Sequence, residues 1–200
     1  MAIQRSFVML KPEAVRRQLV GEIVGRLEKA GLKLMAMKMV TPTAEKVKGF
    51  YPTDDDWLTR VGGKTIKGYE KLGIDLEKEM GTKDPLQLGK TIKSWLVKYI
   101  SSGPVVAMVW EGNRARELIR KMVGNTEPFS AETGTVRGDL SFDSFENANR
   151  EFRSLFNLIH ASETEDEASH EIAYWFTESE LQGYKTGTDL VWDELKKSVK

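Results

Sequence analysis

A chain of 200 residues without cysteine can bury a core of ordinary domain size, but it can build neither a disulfide framework nor a thiol-based active site. Thirty basic and thirty acidic side chains balance to a formal charge of zero, which argues against a nucleic-acid binder relying on a basic excess. The N-terminus is too short and polar for a signal peptide, and the longest apolar run, 104–110, is strand-sized, so no membrane span and a cytoplasmic location are expected.

The apolar run 6–10 predicts a buried strand, ended by Lys11-Pro12, since proline suits the first turn of a helix. Val20, Ile23, Val24, Leu27 and Ala30 then fall at helical spacing, with Gly31 closing the helix. Segment 32–40 alternates Leu32, Leu34 and Ala36 with Met35, Met37 and Met39, the pattern of a strand buried on both faces. Thr43 can cap a short helix running toward Tyr51. The stretch 52–85 is rich in glycine and charge and poor in period, and it reads as an irregular insertion with a helical turn or two. Leu88, Ile92, Trp95, Leu96, Tyr99 and Ile100 share one face of a following helix. After the turn Ser102-Gly103-Pro104, segment 105–110 predicts a strand. Asn113 can cap a helix with Ala115, Leu118, Ile119, Met122 and Val123 facing the core.

The loop 125–139 leads to Phe142, Phe145, Ala148, Phe152, Leu155 and Phe156, spaced as an amphipathic helix. A short strand, 157–161, carries His160. Thr164 to Glu167 matches a capping box before the last core helix, which bears Ala168, Ile172, Trp175 and Phe176. Strands alternating with single and paired helices give an α+β sandwich of the ferredoxin-like, split βαβ kind, in one domain.

Two tripeptides, Gly63-Lys64-Thr65 and Gly89-Lys90-Thr91, imitate the end of a P-loop. Leu58 and Asp84 stand where that motif needs its first glycine, and neither tripeptide follows a strand. There is no GxGxxG, no GxSxG and no cluster with zinc-ligand spacing. His170 reads as a solvated helix residue. A histidine such as His160, alone, is more often structural, but Asn157, Ser162 and Glu171 lie near it in sequence. A carboxylate on one ring nitrogen would fix the tautomer and free the other as a nucleophile. Lys11, Arg120 and Arg137 each read singly as solvated charges, and together as a set able to neutralise a polyphosphate.

Residues 6–15, the run Val20-Gly21-Glu22-Ile23-Val24, residues 102–112, Gly134-Thr135-Val136-Arg137-Gly138-Asp139, residues 157–162 and residues 171–176 together resemble the nucleoside diphosphate kinase family. The match runs in order over about three quarters of the chain. Ala161 stands where that family more often has glycine. The resemblance implies a four-stranded antiparallel sheet covered by helices. It also implies ping-pong transfer of a γ-phosphoryl group through a phosphohistidine at His160. Glu171 would hold the ring with help from Ser162, and Lys11 and Tyr51 would line the γ-phosphate position. Arg120, Thr126 and Arg137 would bind the other phosphates, and Asn157 with Lys11 the ribose. Mg²⁺ would be held mainly by the nucleotide's phosphates, with no protein metal site, and the chain would form a homo-oligomer, a hexamer before a tetramer. Relative to the family, the chain carries insertions at about 52–87 and 140–156 and a C-terminal extension. Ile92 stands where the family places a phenylalanine against the base. The two insertions are therefore expected to flank and rebuild the base slot, with Trp57, Tyr69, Trp95 and Phe156 as candidate replacement aromatics; the alternatives are a more weakly held base, or aromatics that only pack the insertions onto the domain.

Overall fold

The computed structural model describes residues 3–199, apart from the side chains of Lys71 and Leu72. Four strands, β1 (Ile3–Leu10), β2 (Lys33–Val40), β3 (Val105–Asn113) and β4 (Ile159–Ala161), form one sheet in the order β2-β3-β1-β4. All three pairings are antiparallel. This is the expected ferredoxin-like arrangement.

The period of two in β1 and β3 creates a separate core on each face of the sheet. Val8, Leu10, Met108 and Trp110 pack with Ile23 and Leu27 of α2 (Val20–Lys29) and Ile119 of α7 (Ala115–Val123). Phe7, Met9, Ala107 and Val109 pack on the other face. Their partners are Phe50 of α3 (Ala44–Phe50), Ile100 of α6 (Pro85–Ile100) and Trp175 of α10 (Glu165–Trp175). Between β1 and α2 lies the short α1 (Pro12–Arg16), with proline in its first turn.

β2 departs from the expected two-sided burial. It is an edge strand, and Met37 and Met39 are 51% and 58% exposed. A register shift between Leu34 and Ala36 turns Met35 and Ala36 into the same core, so the simple alternation fails there.

The stretch expected to be irregular is instead mostly helical: α4 (Asp55–Leu72) and α5 (Leu76–Met80). Asp54 caps α4 by accepting from the Trp57 amide, and Gly73, at φ 64°, ends it. The glycines that spoil the helical period serve a contact. A Cβ on Gly62 would overlap the Pro85 carbonyl, and one on Gly89 would overlap that of Leu58, so α4 and α6 approach backbone to backbone.

Two further expectations are corrected. Asn113 ends β3, and Arg114, at φ 50°, precedes α7 without a side-chain cap. The long amphipathic helix read at 142–156 shrinks to α9 (Phe145–Arg150), with Phe142 88% exposed. Here a buried carboxylate overrides the periodicity. Asp143 accepts from Arg153 Nη1 (2.6 Å) and Nη2 (3.0 Å) and from the Phe156 amide (2.8 Å), folding the segment back on itself. Thr43 and Thr164 do cap their helices. Glu167, however, accepts from the Glu163 amide, so the box after Thr164 is not reciprocal. α8 (Val136–Leu140) fills part of the expected loop, and α11 (Gly187–Ser198) ends the described chain.

Candidate active site

The end of β1 and the approach to β4 are tied together, with the Lys11 amide donating to the Leu158 carbonyl at 2.8 Å. Leu158 itself adopts φ 64°, a tight reversal that swings Asn157 and His160 toward the same opening. Lys11 is buried, and its ammonium donates to Asn157 Oδ1 at 2.6 Å. Burial, assisted by the nearby Arg137 charge and opposed by Glu13, pulls the Lys11 pKa down to about 7. The Asn157 amide group in turn donates to the Thr126 carbonyl at 2.8 Å, placing the otherwise exposed Thr126 at the rim.

Arg137 was expected on a flexible loop. It lies on α8, is 8% exposed, and donates to four backbone carbonyls: Asn157 (3.1 Å), Ile159 (2.7 Å), Gly124 (3.0 Å) and Asn125 (3.1 Å). The guanidinium fork thereby joins the loop after α7 to the entry of β4. Burial, then Arg120, lowers its pKa to about 10. Arg120, in the last turn of α7, is held by Glu163 at 3.1 Å.

His160 sits on β4 opposite Met9. Its Nε2 lies 2.6 Å from Oε1 of the buried Glu171, whose other oxygen accepts from Ser162 Oγ at 2.6 Å. A carboxylate on Nε2 selects the tautomer with the proton there and leaves the lone pair on Nδ1. Phe50 and Tyr51 meet the imidazole edge-on, at 5.4 and 6.4 Å between centroids. The Tyr51 phenol is buried, which with Glu171 and then Glu167 raises its pKa, so it stays protonated and able to donate.

Lys11, Tyr51, Ile92, Arg120, Thr126, Arg137, Asn157 and His160 all line one cleft of about 500 Å³, while Ser162 and Glu171 back His160 from within the fold. A smaller cleft of about 360 Å³, between the start of β1 and α10, contains none of them. Of the four aromatic candidates, only Trp95 lines the larger cleft. Trp57 packs on Tyr51 at 6.2 Å, Phe156 on Tyr99 at 5.0 Å, and Tyr69 is buried with Leu76 and Leu88.

Sequence reasoning missed Glu167, whose carboxylate comes within 4.8 Å of ligand atoms of His160 and Glu171. It also missed Lys64 and Thr65 on α4 and Asn149 on α9, which line the cleft. Their pairing is long-range, and no local motif marks it. His160, Glu167 and Glu171 have a composition that can ligate a metal. The Glu171 oxygens, however, are already committed to His160 and Ser162, one Glu167 oxygen accepts from the Glu163 amide, and the cations Lys11, Lys64, Arg120, Arg137 and Arg153 outnumber the carboxylates Glu163 and Glu167 along the cleft wall. Hard, oxygen-seeking Mg²⁺ fits that wall better when it arrives on a polyphosphate than when held by the chain alone.

A sequence model of the family described as nucleoside diphosphate kinase matches residues 4–57 and 87–181. The chain belongs to the nucleoside diphosphate kinase family. A nucleoside diphosphate kinase of Pyrobaculum aerophilum is 51% identical over 181 residues, covering 90% of this chain and 99% of the relative. One from Sulfurisphaera tokodaii is 39% identical, covering 90% of this chain and 94% of the relative. Among solved structures, an NDP kinase from P. aerophilum superposes with a TM-score of 0.89 at 49% identity, over 90% of this chain and all of that one. The nucleoside-diphosphate kinase of Borrelia burgdorferi with bound vanadate and ADP, a transition-state mimic, gives 0.73 at 32% identity, over 94% and 96%. The nucleoside diphosphate kinase match leaves out 58–86, which holds most of α4 and all of α5, and ends before α11.

Proposed function

We propose that this chain transfers the γ-phosphoryl group of a nucleoside triphosphate to a nucleoside diphosphate, with Nδ1 of His160 as the carrier. The observation that carries the assignment is the 2.6 Å contact between Nε2 and Glu171, which leaves Nδ1 as the nucleophilic nitrogen beside a cationic cleft. In the first half-reaction the Nδ1 lone pair forms the N–P bond as the bond from the γ-phosphorus to the β,γ-bridging oxygen breaks. The departing diphosphate takes that oxygen and its electron pair. Glu171 offsets the positive charge that develops on the ring, and Ser162 fixes the carboxylate. In the second half-reaction a terminal oxygen of another diphosphate attacks phosphorus, and Nδ1 regains its lone pair.

Lys11, Arg120 and Arg137 supply the dispersed positive charge that such a transfer requires, and the protonated Tyr51 phenol donates near the entering phosphoryl group. Asn157 and Lys11 take the ribose hydroxyls, and Thr126 a phosphate oxygen at the rim. Mg²⁺ held by the nucleotide's phosphates would supply further charge neutralisation and fix their geometry.

The test is incubation with γ-labelled ATP and Mg²⁺. Label should enter the protein, survive alkali, be lost in acid and be chased by any added diphosphate. His160→Ala should take up none. Label retained in that variant would reject His160 as the carrier.

A homo-oligomer, hexameric before tetrameric, accords with the apolar side chains left exposed on β2 and α11, among them Met37, Met39, Leu190 and Trp192. Light scattering decides its size. A cytoplasmic location goes with this reading, and no described helix is long and apolar enough to cross a membrane.

A further inference from the structure

The cleft has two chemically distinct parts. Around His160 it presents Lys11, Arg120 and Arg137, which fit phosphates. The wall that α4 and α6 contribute carries Val61, Ile92, Trp95 and Leu96 beside Lys64 and Thr65, and these apolar side chains suit a flat heteroaromatic ring. A nucleotide with its phosphates on the cations therefore puts its base among these apolar side chains. Asn149 belongs to that part of the wall. It lies on α9 against α4, with its amide nitrogen 3.8 Å from where a Cβ on Gly68 would stand. The Tyr69 hydroxyl pins its backbone by donating to the Asn149 carbonyl at 3.3 Å.

Asn149 is 6% exposed and lines the cleft, and its side-chain amide makes no hydrogen bond among the described residues although it is not sealed from the cleft's solvent. An amide that opens on a cleft without a protein partner can exchange its water for a polar group of whatever fills the cleft. We infer that Asn149 reads the hydrogen-bonding edge of the nucleotide base, and that it does so tolerantly. A side-chain amide offers one acceptor and two donors, and a half-turn about its last torsion exchanges them. Each of the four bases sets a donor beside an acceptor on its pairing edge, so the same amide serves amino-bearing and carbonyl-bearing bases alike. This role rests on the nucleotide-binding reading above and adds the residue that contacts the base. α9 packs against α4, which shares the cleft wall with it.

The experiment is direct binding of ADP, GDP, CDP and UDP by titration calorimetry to the full chain, its Asn149→Leu form and its Asn149→Asp form. Thermal melting confirms that each is folded. Loss of one neutral hydrogen bond weakens affinity by roughly three- to tenfold. The leucine form should lose about that much for all four nucleotides. The aspartate form accepts but cannot donate, so its ratio of ADP to GDP affinity should move by about threefold or more from that of the unaltered chain. It should move toward guanine if the pairing edge faces Asn149 and toward adenine if the opposite edge does.

A wild-type probe covers the case in which the variants do not fold. The diphosphate of purine riboside, which lacks the 6-amino group, should bind more weakly than ADP. Leucine and aspartate forms that bind all four nucleotides as the unaltered chain does, or equal binding of the purine riboside probe and ADP, would overturn the inference. Failure of the unaltered chain to bind any of the four would instead overturn the nucleotide reading itself.

Discussion

Glu171 meets two partners with one buried carboxylate, one oxygen on the imidazole and one on Ser162. Glu171→Gln keeps the volume but loses the negative charge that a ring carrying phosphorus requires. The rate of phosphohistidine formation in single-turnover mixing should fall by about 10²-fold, with the far-UV spectrum unchanged. Lys11 makes a second prediction at this scale. Its folded pKa of about 7 is depressed from the ordinary 10.5. Between those values the unfolded chain binds more protons than the folded one, so this group makes stability rise with pH across that window and costs most below it. Urea midpoints measured from pH 7 to 10 should carry this slope, and Lys11→Met should flatten it. An incoming polyphosphate favours the charged ammonium. Nucleotide binding at pH 8 should therefore take up protons, which shows as a dependence of the binding enthalpy on the buffer's ionisation enthalpy. His160 and its partners were legible in the sequence because Asn157, His160 and Ser162 sit on one short segment and Glu171 on the next helix. Arg137 was legible as a cation near the site, but its burial and its four carbonyl partners were not, since those carbonyls lie on segments that only the fold brings together.

At the scale of elements, local pattern succeeded where apolar period and caps agreed, as in β3 and in the helix begun by Thr43. It failed at 52–85 because dense glycine and charge blur the hydrophobic period of α4. Gly62 and Gly89 are needed where two helices touch through their backbones. Alanine at either position meets a carbonyl that no rotamer change can move, and should destabilise the chain by about 1–3 kcal/mol in chemical denaturation. It failed again at 142–156, where aromatic spacing suggested a helix but Asp143 organises a fold-back instead. The same elements separate the aromatic candidates. Trp95→Ala should weaken nucleotide binding by about 1–3 kcal/mol if the base stacks on it, the range found for aromatic platforms. Trp57→Ala and Phe156→Ala should change it far less, because those rings pack on Tyr51 and Tyr99. Equal losses in all three would show that the cleft is set by general packing rather than by the Trp95 ring.

For the whole molecule, the four-stranded sheet followed from the alternation of strands and helices together with the family resemblance. The resemblance also brought Lys11, Tyr51, Ile92, Arg120, Thr126, Arg137, Asn157 and His160 to one cleft, but the helices that complete its wall, α4 and α9, were not legible, because their contacts join segments far apart in the chain. One feature ties these distant parts to the centre of the molecule. The Arg137 guanidinium clasps the chain after α7 to the fully buried Ile159 of β4, so the charge proposed to meet phosphate is also a cross-brace of the core. A loop anchored in this way has little freedom to melt ahead of the rest. In a urea titration, lost turnover and lost far-UV signal should then share a single midpoint in the unaltered chain. Arg137→Lys has too few donors for four carbonyls, and its turnover should disappear at a lower urea concentration than its helical signal. The enzyme's working life under stress would thus be set by its global unfolding, with no inactive but folded form accumulating on the way.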